Sequence, residues 1–101
     1  MRPLLAALPL LLTAVPALAS STAAFAGLDR ATARACRSVS GLKDTMIEGA
    51  PVRFSDTVGM DARIVHGTWP QPHMNGAKAT MLCLYDRRAK RAETQEWPGP
   101  K

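Results

Sequence analysis

The stretch ATMLCLY, residues 79–85, decides the fold, because it has the composition of a central β-strand and contains one of only two cysteines. Alternation along a strand divides it into two faces. Ala79, Met81, Cys83 and Tyr85 share one face, while Thr80, Leu82 and Leu84 share the other. Apolar residues on both faces predict a strand that is covered on one side and partly covered on the other.

The second cysteine, Cys36, lies in a segment with helical periodicity, residues 28–39. Its apolar positions recur at the spacing of one helical face; they are Leu28, Thr32, Ala35, Cys36 and Val39. Arg30, Arg34 and Arg37 fall on the opposite side and are most simply a solvated face. We therefore expect an amphipathic helix that Gly41 ends.

Pairing of Cys36 with Cys83 would place this helix over one face of the central strand, since a disulfide allows only about 4.4–6.8 Å between Cα atoms. The face carrying Met81 and Tyr85 would then be buried beneath the helix. Leu82 and Leu84 would lie on the other face, partly exposed or covered by the tail of the chain or by a partner.

Three further strands complete the prediction. Residues 51–55 alternate around Arg53, and residues 60–66 alternate up to Gly67, which we expect to end that strand. Residues 91–97 are predicted as a fourth strand, although RRAKRAETQE also suits a helix capped by Asp86. The predicted fold class is α+β, with one N-terminal amphipathic helix packed on a three- to four-stranded antiparallel sheet and one disulfide.

An export signal is predicted at residues 1–19. Arg2 provides the positive region, residues 4–15 the apolar region, and Ala17-Leu18-Ala19 a small-x-small cleavage site. A second such site ends at Ala26, and retention of the segment as an anchor is also open. The expected mature domain is residues 20–101, with an ordered core of about residues 27–97, in the periplasm or outside the cell, where a disulfide is stable.

Charge and composition indicate the kind of partner. Without the signal, twelve Lys and Arg remain against eight Asp and Glu, a formal net charge of +4. Such a chain favours a protein or an anionic component of the cell envelope. Export and the scarcity of aromatic residues argue against nucleic acid, and membrane contact is expected only through the signal segment.

Two groups of residues are candidates for contact with a partner. The loop GTWPQPHMNGAK, residues 67–78, would present Trp69, His73 and Met74 in a segment stiffened by Pro70 and Pro72. Alternatively, Trp69 folds back to cap the core. Arg87 and Arg88 begin the densest basic run, which suits an acidic partner and equally suits protection of a strand edge.

Neither catalysis nor a cofactor is predicted, because no motif for a nucleophile, a catalytic metal or a phosphate loop occurs. A copper site is the alternative, because four side chains are of types that bind copper in exported proteins: His66, His73, Met60 and Met74. Their spacing matches no tight motif. The expected function is that of a small exported binding or inhibitor-like module without catalytic activity. The alternative is a small metal-binding or stress-related exported protein.

Overall fold

In the part of the chain that the structure describes, one α-helix is followed by four strands. A computed structural model describes the backbone of residues 16–98 and the side chains of residues 22–98. Helix α1 spans Pro16–Val39, and the strands are β1 (Lys43–Arg53), β2 (Met60–Thr68), β3 (Lys78–Asp86) and β4 (Arg91–Glu96). The strands form one antiparallel sheet in the order β1-β2-β3-β4. The predicted α+β fold is therefore confirmed. Most of the predicted export signal, residues 1–15, lies outside the described residues.

Helix α1 is longer than its apolar periodicity predicts, because it begins at Pro16 and not at Leu28. The added residues are rich in alanine, which favours a helix without marking one face as apolar. The helix ends as expected, with Gly41 at a φ of 77° and the Ser40 N–H donating to the Arg37 carbonyl. Within the described residues, no helix has both the length and the apolar character needed to cross a bilayer.

The disulfide fixes α1 on the face of the sheet that the sequence predicted. Cys36 and Cys83 are bonded, with their Cα atoms 5.8 Å apart and both side chains fully buried. Met81 and Tyr85 are buried on the same face of β3, and Val65 of β2 completes the core beside them. We call this side of the sheet, which α1 covers, the covered face.

Strand β1 begins eight residues earlier than the predicted strand at residues 51–55. Two register shifts interrupt its pairing with β2, one after Lys43 and one after Glu48. Asp44 and Gly49 adopt positive φ at these places, which breaks the simple alternation that a strand prediction depends on. The bulged residues hid the first half of the strand from sequence analysis.

Gly67 does not end β2, contrary to the prediction. The strand continues to Thr68, and Gly67 pairs with Ala79. A Cβ atom at Gly67 would lie 2.8 Å from the Cβ of Leu42, so the glycine allows the chain after α1 to approach the sheet closely.

The fourth strand is confirmed, and the alternative helix is not formed. Residues 91–96 pair with β3 from Asp86↔Arg91 to Met81↔Glu96. The Asp86 carboxylate accepts hydrogen bonds from the backbone N–H groups of Arg88 and Ala89 in the turn. The hydrogen bond from Ala89 is the main reason why the pKa of Asp86 is lowered. This turn chemistry favours the hairpin over a helix.

Candidate functional site

The covered face contains a buried cluster of charged residues instead of a purely apolar core. Asp61 of β2 is fully buried. Its carboxylate accepts hydrogen bonds from Arg53 Nε at 3.1 and 3.0 Å, from Arg53 Nη2 at 2.7 Å and from Arg87 Nη1 at 2.6 Å. Arg53 also contacts Asp29 of α1 at 2.6 Å. The cluster thus links the helix, two strands and the turn after β3.

The pKa of Asp61 shows how the cluster keeps a charge in the interior. Burial alone would raise this pKa, but the hydrogen bonds from Arg53 and Arg87 outweigh burial and hold it below its usual value. The hydrogen bond to Asp61 likewise raises the pKa of Arg53 above its usual range. Asp61 and Arg53 are therefore both charged at neutral pH.

A further arginine, Arg63, lies under α1 with only 7% of its surface exposed. It donates to the Asp29 carbonyl at 3.0 Å, to Thr32 Oγ1 at 2.9 Å and to the Gly49 carbonyl at 2.9 Å. Its Nε is buried without a hydrogen-bond partner. Burial lowers the pKa of Arg63. These contacts hold α1 to the bulge of β1, which is a structural role.

Arg87 and Arg88, two predicted contact residues, fix the loop between β1 and β2. Besides Asp61, the Arg87 guanidinium binds the Met60 and Phe54 carbonyls and the Asp56 carboxylate, and its side chain is 13% exposed. Arg88 Nη2 donates to the Asp56 carbonyl at 2.6 Å. Both guanidiniums are thus engaged within the molecule, and their contact with a partner stays a prediction.

The predicted loop places its three contact residues differently. Trp69 is half-buried, and its ring lies 4.0 Å from the position that a Cβ of Gly41 would occupy, which agrees with the alternative in which Trp69 caps the core. Pro72–Met74 forms a single 3₁₀ turn, with His73 exposed and Met74 half-buried. Their role in binding also stays a prediction.

The opposite side of the sheet, which we call the open face, carries most of the exposed large apolar side chains. Alternation and register assign to it the even-numbered residues of β2 and β3 and their partners on the outer strands. The described residues include eight large apolar side chains that are exposed, and five of them lie here: Met46, Val52, Phe54, Leu84 and Trp97. Half-buried Met60, Ala62, Ile64 and Leu82 connect them.

Charged and polar groups border this apolar surface. Lys43 and Lys78 both lie opposite Thr68 at one end, and Asp86 pairs with Arg91 at the other end. Near the latter end, an open groove of about 430 Å³ has Leu82 and Leu84 in its lining. An apolar centre with a polar rim is typical of a protein-binding surface.

His66 lies on the open face, where its ring nitrogens contact Thr80 Oγ1 at 3.0 Å and Glu48 Oε1 at 2.5 Å. Within residues 22–98, no three His, Cys, Asp or Glu side chains are grouped closely enough to hold a metal ion. His73 lies on the 3₁₀ turn and not beside His66. The copper site stays a prediction.

Sequence analysis found part of the candidate site and missed the rest. It placed Leu82 and Leu84 on a face that needs a cover, which the structure shows as the centre of the open face. It missed Met46 because β1 begins before the predicted strand. The signal that was available was the parity of β2, in which Met60, Ala62 and Ile64 share the side of Leu82 and not that of Cys83.

Comparison with known proteins gives no relative for this chain. No protein family matches the sequence, no curated protein matches it significantly, and no solved structure matches the fold significantly.

Proposed function

We propose that this protein is an exported, non-catalytic binding module of the periplasm or the extracellular space, and that its open face contacts a protein surface. The observation that carries this proposal is the exposed apolar surface of the open face. Helix α1 lies over the other face, which contains Arg53, Asp61 and Arg63, and none of the described residues forms a layer over the open face.

The exposed side chains on the open face favour a protein as the contact. An exposed apolar patch of this kind, rimmed by polar residues, marks a site of interaction on a soluble domain. Met46 and Val52 are 64% and 62% exposed, so that a large part of their surface would be removed from water by a partner. The disulfide supports export, because such bonds persist in oxidising compartments.

The proposal is tested by cross-linking in the cells that make the protein. A photoreactive amino acid at Met46 is expected to form adducts, whereas the same amino acid at Arg34, on the exposed side of α1, is expected to form none. Leu84→Lys should abolish the adducts, because it places a charge at the centre of the apolar surface.

Val39→Lys is the matched control for Leu84→Lys, since Val39 is 43% exposed and Leu84 41%, and Val39 lies at the end of α1 away from the open face. It should leave the adducts unchanged. Equal adduct yields from Met46 and Arg34, or adducts that persist in Leu84→Lys, would show that the open face is not the contact surface.

A further inference from the structure

The side chains of the open face form rows across the sheet, and the central rows have a pattern that complements itself. One row reads Glu48, Ile64, Leu82 and Gln95 from β1 to β4, and the next reads Val52, Ala62, Leu84 and Glu93. In each row an apolar residue of β2 stands beside one of β3, with an acidic residue on one outer strand only.

From this pattern we infer that the surface covering the open face is that of a second copy of this chain. The two sheets stack face to face about a two-fold axis parallel to the strands, so that β2 of each copy lies over β3 of the other. This inference rests on the proposed function, because it identifies the protein that contacts the open face. The assembly would have four layers, with a helix on each outer side and two sheets inside.

The orientation follows from size and charge. With the axis parallel to the strands, Ile64 lies over Leu82 of the second copy and the small Ala62 lies over the larger Leu84. Glu48 then lies over Gln95 of the second copy, so that no like charges meet in these rows. Face-to-face packing at a distance of about 10 Å requires apolar contacts of this kind.

A perpendicular two-fold axis that passes through the Glu48 row gives a poorer match. It would place each strand over its own copy, so that Glu48 lies over Glu48 of the second copy and Leu84 lies over Thr80. Like charges at close range disfavour that arrangement. The pattern of the rows therefore favours the axis parallel to the strands over this one.

The available area suits a weak dimer. Four strands about 4.8 Å apart, with nine residues at a rise of about 3.3 Å, give a face of roughly 600 Å² per copy. Two copies would bury roughly 1,200 Å², which is the lower limit for a specific interface. We therefore expect a dissociation constant of about 1–100 µM.

The test is sedimentation equilibrium of the disulfide-bonded chain, as recovered from exporting cells, over about 1–500 µM. The average mass is expected to rise with concentration from that of one copy towards that of two copies for the wild type and for Val39→Lys, and to stay at one copy for Leu84→Lys. A single-copy mass for the wild type at every concentration overturns the inference. Near-ultraviolet circular dichroism of each variant reports whether it is folded.

Gln95→Lys tests the axis by the sign of its effect. If β1 lies over β4 of the second copy, the new lysine faces Glu48 twice per dimer and tightens association about three- to fivefold. With the perpendicular axis through the Glu48 row, the two lysines would face each other and association would weaken. Weaker association therefore overturns the proposed orientation.

The cross-linking experiment separates failure of this inference from failure of the proposed function. A Met46 adduct with the mass of two copies supports both. An adduct of another mass that Leu84→Lys abolishes, together with a wild type that sediments as one copy, overturns the dimer and leaves the binding function standing. Dimerisation in solution without any adduct in cells overturns the proposed function alone.

Discussion

Replacement of Asp61 by asparagine tests whether the buried charge cluster holds the covered face together. The wild-type carboxylate accepts four hydrogen bonds from Arg53 and Arg87. Removal of one partner from a buried ion pair typically costs about 3–5 kcal/mol, since it leaves the other charge buried without compensation. Here Arg53 keeps Asp29 and Arg87 keeps Asp56. We therefore expect the lower end, a loss of about 3 kcal/mol in the free energy of unfolding.

The assay is urea unfolding followed by tryptophan fluorescence, with the disulfide intact. Asp56→Asn is the matched control, because Asp56 also binds Arg87 but its side chain is fully exposed. An exposed ion pair contributes little, so we expect a change of at most about 1 kcal/mol for the control. The m-value should stay constant in both variants. A loss below about 1 kcal/mol for Asp61→Asn would refute the view that this cluster stabilises the fold.

Three further predictions concern the same framework. Replacement of Cys36 and Cys83 by serine opens a loop with a sequence separation of 47. From the chain entropy that the bond removes from the unfolded state, we expect calorimetry to show that the free energy of unfolding falls by about 4 kcal/mol. An unchanged melting temperature would contradict this expectation. The pKa of Asp61 is lower in the folded state than its usual value of about 3.9. The contribution of its charge to the free energy of unfolding is therefore complete above about pH 4 and is lost as the pH falls through the folded pKa. Acid titration of the wild type should show this loss, and Asp61→Asn should lack it. Gly67→Ala should cost about 1–3 kcal/mol in urea unfolding, since the new methyl group meets the chain after α1, whereas Gly27→Ala in the exposed helix should be neutral or slightly stabilising.

The helix and the central strand could be predicted from the sequence because each depends on local periodicity, and the disulfide could be predicted because the sequence contains only two cysteines. Cys36 lies on the apolar side of a helical pattern, and Cys83 fixes one parity of a seven-residue strand, so that the pairing of these two residues determines the covered face. The fourth strand was predicted on the same grounds, with Asp86 in the turn before it.

The charged interior could not be predicted from parity alone. Asp61 and Arg63 alternate with apolar residues, and such a pattern normally places the charges in solvent. They are buried because Arg53 and Arg87, eight and 26 residues from Asp61, neutralise the carboxylate, and because α1 offers a carbonyl and a hydroxyl to Arg63. Partners so distant in sequence become visible only in the folded chain.

The candidate site was predicted in part for a related reason. The exposure of Leu84 followed from the disulfide, but the extent of the open face depends on β1, whose bulges at Asp44 and Gly49 disrupt the alternation. The basic residues Arg87 and Arg88 were read as a surface patch, whereas the structure shows them engaged with the loop before β2. Composition does not distinguish a free guanidinium from one that is already bound.

The position of the disulfide also determines how the molecule would respond to tension. A force applied to the two ends of the chain enters through α1 as far as Cys36, passes through the sulfur bridge, and leaves through the end of β3 and β4. The 46 residues between the cysteines, which include all of β1 and β2, would bear no load. About 160 Å of extended chain would therefore remain hidden in a single-molecule stretching trace until a reductant cleaves the bond.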